Sequence, residues 1–161
     1  MNRFVFGAAL GSIALAAGAQ EITSERTISL KLANELATAA VAACTANGYN
    51  VVATVVDRSG YVKAMQRADN ARPHAIDIAE RKAHTAAMLG YETARLAENI
   101  QKGVTPASIV NTPGFTSLIG GFPIKAGTEV IGGIGVSGAP GGPLDAACVE
   151  AAMKQVQDRL K

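Results

Sequence analysis

Histidine can bind a metal ion and can also act as an acid or a base near neutral pH. The chain has two histidines, His74 and His84. They lie ten positions apart on one predicted helix, about three turns, which is too far for both to ligate one small metal ion. His74 falls in the first turn, where a neutral imidazole could ligate haem iron or another transition metal. The alternative, a plain surface histidine, is the more common outcome. His84 flanks the apolar stripe and is predicted to be a partly buried structural residue.

Asp77 and Glu80 are carboxylates three positions apart on the same predicted helix. This spacing places both on one helix face, where they could hold a cation together with water or further ligands. Arg81 follows Asp77 by four residues, so the same side chains could instead form an ion pair on a solvated face. The residues alone favour the solvated face, and the metal site stays open as the second interpretation.

Motifs for nucleophilic catalysis and nucleotide binding are missing from the sequence. Ser137 follows a predicted strand, but no GxSxG elbow surrounds it and no histidine pattern accompanies it, so hydrolase chemistry has little support. The glycines at 132–135 lack the GxGxxG pattern that opens a helix, and no Walker phosphate loop occurs. The segment 111–114, Asn-Thr-Pro-Gly, is predicted to be a tight turn, with a ligand-facing loop as the alternative.

The glycine-dense block 120–142 is the most unusual segment of the chain. Ile and Val alternate with its glycines, which predicts strands rather than a flexible linker. Glycine lets another backbone or a flat ligand approach closely. We therefore expect the binding site to lie against this block, beside the start of the helix that begins at His74.

The order of the elements does not follow the regular alternation of a parallel βαβ fold. It predicts an α+β fold in which helices pack on the faces of an antiparallel sheet. The predicted elements are helix Ser29–Asn47, strands Val51–Asp57 and Tyr61–Arg67, helices His74–Leu89 and Glu92–Lys102, strands Phe115–Leu118, Pro123–Lys125 and Glu129–Ser137, and helix Pro143–Leu160.

Composition and the N-terminal segment limit the class and the compartment. The net charge is +2, aromatic residues make up 4% and Trp is absent, which excludes a basic, aromatic-lined nucleic-acid surface. Residues 1–19 form a predicted signal peptide, with Arg3 in a short positive start, an apolar stretch Phe4–Ala16 and a small-residue cleavage site ending at Ala19. We expect cleavage after Ala19, a periplasmic or secreted protein, and one domain over residues 20–161.

Cys44 and Cys148 are the two cysteines of the chain. An oxidising compartment permits a disulfide between them. Each also lies on the apolar face of a predicted helix, where a free thiol behaves as a small hydrophobe. We expect two buried free thiols, with the disulfide as the alternative. Two cysteines without a nearby histidine cannot form a zinc site.

Several separate motifs together resemble the GlcG/HbpS family of haem-associated proteins. The match runs from about Ser29 to Leu160, nearly the whole mature chain. The motifs are PHAIDIAERKA at 73–83, TPG at 112–114, GGFPI at 120–124, VIGGIGVSG at 130–138, and Asp145.

The resemblance implies an α/β/α sandwich with a profilin-like antiparallel sheet of about five strands, assembled as a homo-oligomer such as an octamer or hexamer. It implies haem or iron as cofactor, with Asp77 and Glu80 at the family's acidic iron-binding pair. One branch of the family uses a threonine as haem ligand, for which Thr112 is the candidate. Another uses a histidine of the first helix, which this chain lacks. His74 is the alternative, because imidazole is a better iron ligand than a hydroxyl.

The same resemblance suggests how the rest of a haem site would be built. Gly120, Gly121 and Gly138 would let the flat ring approach the backbone. Lys125 or Arg72 would pair with the propionates. We therefore expect a haem- or iron-binding oligomer that acts in haem or iron handling or in protection against oxidative stress.

Two other functions fit the sequence. The first is an enzyme that acts on a small organic substrate, a hydroxy acid or an aldehyde, with Asp77, Glu80 or His74 as proton-transfer groups. The second is a self-assembling scaffold without a ligand, since the alanine-rich first and last helices allow close contacts between subunits.

Overall fold

The computed structural model describes residues 23–160, so the predicted signal peptide lies outside the described residues. Within this range the chain forms helices, strands and two short 3-10 turns, Ala107–Asn111 and Gln157–Arg159. No helix of this range is long and apolar enough to cross a bilayer. The main elements are α1 (Leu30–Ala46), β1 (Val52–Asp57), β2 (Val62–Arg67), α2 (His74–Leu89), α3 (Thr93–Gln101), β3 (Gly121–Ala126), β4 (Glu129–Ser137) and α4 (Gly142–Val156).

The described strands form one antiparallel sheet in the order β2-β1-β4-β3. The expected antiparallel sheet is confirmed, but it has four strands rather than about five. The segment 115–118, predicted to be a strand, is held by side-chain acceptors instead of a neighbouring strand. The Thr116 N–H donates to Thr85 Oγ1, and the Leu118 N–H donates to Thr116 Oγ1.

Helices cover both faces of the sheet. On one face α2 packs across β1, β3 and β4, and on the other α1 packs across β1 and β2 while α4 packs on β3 and β4. Alternate residues of β1 point to opposite faces. Val52 and Val56 therefore pack against α2. Ala53 and Val55, with Val51 just before the strand, join the larger core under α1 and α4.

Glycines on β4 allow α2 to lie unusually close to the sheet. A Cβ at Gly133 would overlap the carbonyl oxygen of Ala83, and one at Gly135 would overlap the carbonyl oxygen of Ala79. Part of the glycine-dense block thus serves helix–sheet packing, which its alternation with Ile and Val did not indicate. Only the end of the block, around Gly138, reaches an open surface near the start of α2.

Cys44 and Cys148 form a disulfide, so the expectation of free thiols is wrong. The predicted burial is right, since the two residues are 0% and 4% exposed. The pairing follows from the helix layer, in which α1 and α4 lie side by side and bring the two Cα atoms to 5.4 Å. The crosslink fastens the two helices on the face of the sheet opposite α2.

Candidate functional site

Helix α2 divides the predicted site residues between two cavities. Successive residues rotate by about 100° around a helix. His74, Ile78 and Lys82 therefore follow one side of α2, whereas Asp77, Glu80 and His84 follow another. We call the cavity beside the first group the basic cleft and the cavity beside the second group the acidic groove.

The basic cleft has a volume of about 770 Å³ and lies between the start of α2, segment 117–119 and the connection from β4 to α4. Its lining includes Arg72, His74, Ile78, Lys82, Ile119, Ser137, Gly138, Gly142 and Asp145. The expected juxtaposition of the start of α2 with the end of the glycine block is therefore present in one subunit.

A buried ion pair lies in the wall of the basic cleft. Lys82 Nζ donates to Asp145 Oδ2 and to the carbonyl oxygen of Val136, both at 2.8 Å. Asp145 Oδ1 accepts from the Ala139 N–H at 3.0 Å. The pair thus connects α2, the end of β4 and the first turn of α4.

Burial disfavours both charges of this pair. It lowers the pKa of Lys82 and raises the pKa of Asp145, and in each case the mutual hydrogen bond opposes the shift. The sequence alone gave Lys82 no role and Asp145 no partner. The one available signal was helical spacing, which sets Lys82 four residues after Ile78 and eight after His74.

The mouth of the basic cleft carries a positively charged side chain and an imidazole that have no partner among the described residues. Arg72 and His74 are exposed, and neither side chain makes a hydrogen bond or ion pair within residues 23–160. The carboxylate in the lining is that of Asp145, and Lys82 already neutralises it. The Arg72 charge is therefore left over, and the cleft favours anionic ligands.

The acidic groove has a volume of about 400 Å³ and brings Asp77, Glu80 and His84 together with the turn that contains Thr112. Asp77 Oδ2 lies 3.8 Å from Arg81 Nη1, so the ion pair expected on the solvated face is also present. Asp77, Glu80 and Thr112 are exposed. Two carboxylates against one guanidinium leave a net negative charge that suits a cation.

His84 occupies the inner end of the acidic groove and is half-buried, as predicted. Its Nδ1 lies 3.1 Å from the Gly60 carbonyl oxygen, and its ring stands edge-on to Phe115. A carbonyl only accepts hydrogen bonds, so Nδ1 carries a hydrogen, and in the neutral tautomer Nε2 is the acceptor. No cluster of three or more His, Cys, Asp or Glu side chains within the described range is arranged to hold a metal ion.

The remaining predicted residues divide between the cleft and the protein interior. Gly138 lines the basic cleft. Gly120 and Gly121 are buried beneath it: a Cβ at Gly120 would lie 3.1 Å from Lys82 Nζ, and one at Gly121 would overlap the Lys82 backbone. Lys125 is exposed on β3 and lines neither cavity.

Comparison with known proteins shows which family this α/β/α domain belongs to. The profile of a family described as "Haem degrading protein HbpS-like" matches residues 28–154. The chain belongs to this HbpS-like family, and the resemblance drawn from the sequence motifs is confirmed.

Individual relatives agree with this assignment. Protein GlcG of Escherichia coli (strain K12) is 36% identical over 110 residues, which are 66% of this chain and 81% of GlcG. The crystal structure of HbpS superposes with a TM-score of 0.81 at 35% identity, covering 88% of this chain and 99% of HbpS. A double mutant of Streptomyces reticuli HbpS superposes with a TM-score of 0.80 at 34% identity, and the match covers 91% of this chain and 98% of the mutant. In that mutant, aspartate replaces two glutamates that are three positions apart.

Proposed function

We propose that this protein binds haem or iron, with haem in the basic cleft and an iron ion in the acidic groove on the other side of α2. Its membership of a family described as haem-degrading supports a haem-related role. The observation that carries the placement of haem is the exposed, unpartnered imidazole of His74 beside a large cleft with surplus positive charge.

The basic cleft offers a group for each part of a haem. Ile78 and Ile119 supply apolar surface for the ring, His74 supplies a nitrogen for the iron, and Arg72 supplies a guanidinium for a propionate. Gly138 leaves the backbone accessible at the rim. A volume of about 770 Å³ lies within the usual range for small-molecule sites.

His74 and Thr112 line different cavities, so the two candidate axial ligands are alternatives. We assign the role to His74, because imidazole binds iron far better than a neutral hydroxyl does. Gly120, Gly121 and Lys125 are left out of the proposed site, because they line neither cavity.

Asp77 and Glu80 are the proposed ligands of an iron ion. Their three-residue spacing equals that of the two glutamates replaced in the Streptomyces reticuli HbpS double mutant. The two carboxylates face the groove that also holds His84 and Thr112. Water or another subunit would have to complete the coordination, since iron takes more than two ligands.

Export and assembly belong to the same proposal. The predicted signal peptide and the Cys44–Cys148 disulfide both suit a periplasmic or secreted protein, since disulfides persist in oxidising compartments. A homo-oligomer, an octamer or hexamer, is proposed from the family resemblance. N-terminal sequencing of the exported protein and light scattering of the purified protein test these two points.

Hemin titration of residues 20–161, followed at the Soret band, tests the haem site. We expect a saturable spectral shift at micromolar protein, and a lost or altered shift in His74→Ala. Thr112→Ala is the matched control on the other side of α2 and should keep the wild-type spectrum. Absence of any shift would reject haem binding, and loss in Thr112→Ala alone would move the haem to the acidic groove.

Equilibrium dialysis with ferrous iron tests the metal site. The double variant Asp77→Asn with Glu80→Gln should lose iron and still give the wild-type hemin spectrum. Glu150→Gln removes an exposed carboxylate of α4 and serves as the control. Equal iron binding by all three proteins would reject the acidic groove as the site.

A further inference from the structure

The basic cleft contains a hydroxyl without a protein partner. Ser137 is 6% exposed and lines the cleft, and its hydroxyl makes no hydrogen bond to any described residue. The hydroxyl itself is accessible from the cleft, since the buried side-chain oxygen without a partner in the described range is that of Thr54. Ser137 therefore offers an unused hydrogen-bonding position to whatever occupies the cleft.

Lys82 offers a second such position. Its ammonium carries three hydrogens, and described protein atoms accept two of them, at Asp145 and at the Val136 carbonyl. The side chain also lines the cleft. A ligand oxygen in the cleft can accept the third hydrogen.

The cleft also has a source of attraction for a negative charge. The Arg72 guanidinium at the mouth has no partner within the described residues, and its five donors match a carboxylate bidentately. The N-terminus of α4, a fifteen-residue helix whose cap Gly141 provides no side-chain acceptor, adds a partial positive charge at Gly142. The proposed haem site uses Arg72 but leaves Ser137, the third Lys82 hydrogen and the start of α4 unused, and these groups suit a small polar anion.

We infer that the basic cleft binds a small organic carboxylate with a second oxygen near the carboxylate, as in a hydroxy acid or an oxo acid. Arg72 pairs with the carboxylate, and Ser137 with Lys82 receives the second oxygen. The inference goes beyond haem binding and does not depend on it, because these contacts are available in the protein without haem.

Calorimetric titration of haem-free protein, residues 20–161, tests the inference with four probes of similar size. Lactate and pyruvate carry both features, propionate lacks the second oxygen, and lactamide lacks the charge. We expect saturable binding of lactate or pyruvate, with propionate weaker by about tenfold or more, because it loses a hydrogen bond from the Ser137 hydroxyl and a stronger one from the Lys82 ammonium. Lactamide should be weaker by about tenfold or more, since charged hydrogen bonds are stronger.

Variants connect the binding to the named residues. Arg72→Gln should weaken lactate or pyruvate by about tenfold or more. Ser137→Ala should reduce the advantage of lactate over propionate by about fivefold, the value of one neutral hydrogen bond, a readout that loss of charge alone would not change. Lys154→Gln removes an exposed positive charge on α4, away from the cleft, and should bind as wild type does.

Two results would overturn the inference. One is no binding of either acid at millimolar concentration by protein whose circular dichroism spectrum is native. The other is equal weakening by Arg72→Gln and Lys154→Gln, which would mean non-specific attraction. Hemin binding without acid binding refutes this inference alone, and acid binding without hemin binding refutes the proposed haem site alone.

Discussion

The buried pair between Lys82 and Asp145 should make a large and strongly coupled contribution to stability. The two side chains are 3% and 5% exposed, and each keeps a backbone hydrogen bond besides the shared one. Asp145→Asn would leave the ammonium without its counter-charge, and Lys82→Met would leave the carboxylate without its own. Each single change should lower the free energy of unfolding by about 3–5 kcal/mol, the usual cost of an unpaired buried charge.

The double variant Lys82→Met with Asp145→Asn separates this cost from the value of the pair itself. It removes both charges and retains an oxygen that can accept the Ala139 N–H. Its loss should be smaller than the sum of the single losses by about 2 kcal/mol or more. Without such coupling, the side chains would not act as a pair.

Urea denaturation followed by far-ultraviolet circular dichroism measures these differences, with the disulfide intact in every protein. For a protein of this size, about 4 kcal/mol corresponds to a midpoint shift of about 2 M urea. Glu35→Gln, which breaks a solvent-exposed ion pair with Arg159, is the matched control and should shift the midpoint far less. If Asp145→Asn costs no more than Glu35→Gln, the pair is hydrated in solution and does not behave as a buried ion pair.

Three other changes test the fold. Reduction of Cys44–Cys148 should lower the free energy of unfolding by about 4.7 kcal/mol, because the bond closes a loop with a sequence separation of 104; equal denaturation midpoints with and without reductant would contradict this. Thr54→Val should raise the melting temperature, because the Thr54 hydroxyl is buried and has no partner in the described chain; a lower value would reveal a missed partner. Gly135→Ala should destabilise by about 1–3 kcal/mol, because its Cβ would collide with α2, whereas Gly141→Ala meets only ordinary contacts and should unfold near the wild-type midpoint.

Local sequence signals predicted most of the helices and strands. Ser29 caps α1 by accepting a hydrogen bond from the Leu32 N–H, and Gly90 ends α2 with a φ of +70°. Both features depend on neighbours in the chain, so pattern reasoning reaches them. The strand predicted at 115–118 is absent because the Thr116 N–H bonds the side chain of Thr85 on α2 rather than the backbone of a neighbouring strand.

The candidate site shows where sequence reasoning stops. The motifs correctly indicated the family. The residues that they single out do lie close together in two pairs, His74 with Gly138 and Thr112 with Asp77. From the sequence, all of these residues were expected in one binding site, whereas the structure divides them between two cavities. The segments that pack on each side of α2 are set by tertiary structure, which the motifs do not report. The partner of Lys82 lies 63 positions along the chain, and no local pattern joins a lysine to an aspartate at that distance.

The close approach of α2 to the sheet explains why one helix borders two cavities of opposite charge. Small residues meet at this contact, Ala79 and Ala83 on the helix and Gly133 and Gly135 on β4. A helix this near the sheet has no room for long side chains beneath it, so its polar residues extend along its two flanks.

On one flank Lys82 neutralises the buried carboxylate and leaves surplus positive charge at the mouth of the cleft. On the other flank carboxylates outnumber the arginine. An anionic haem and an iron cation would therefore be attracted to opposite sides of the same rigid helix. Gly135→Ala, which would shift α2, should therefore weaken haem binding and iron binding together. Arg72→Gln should weaken the binding of the anionic ligand alone.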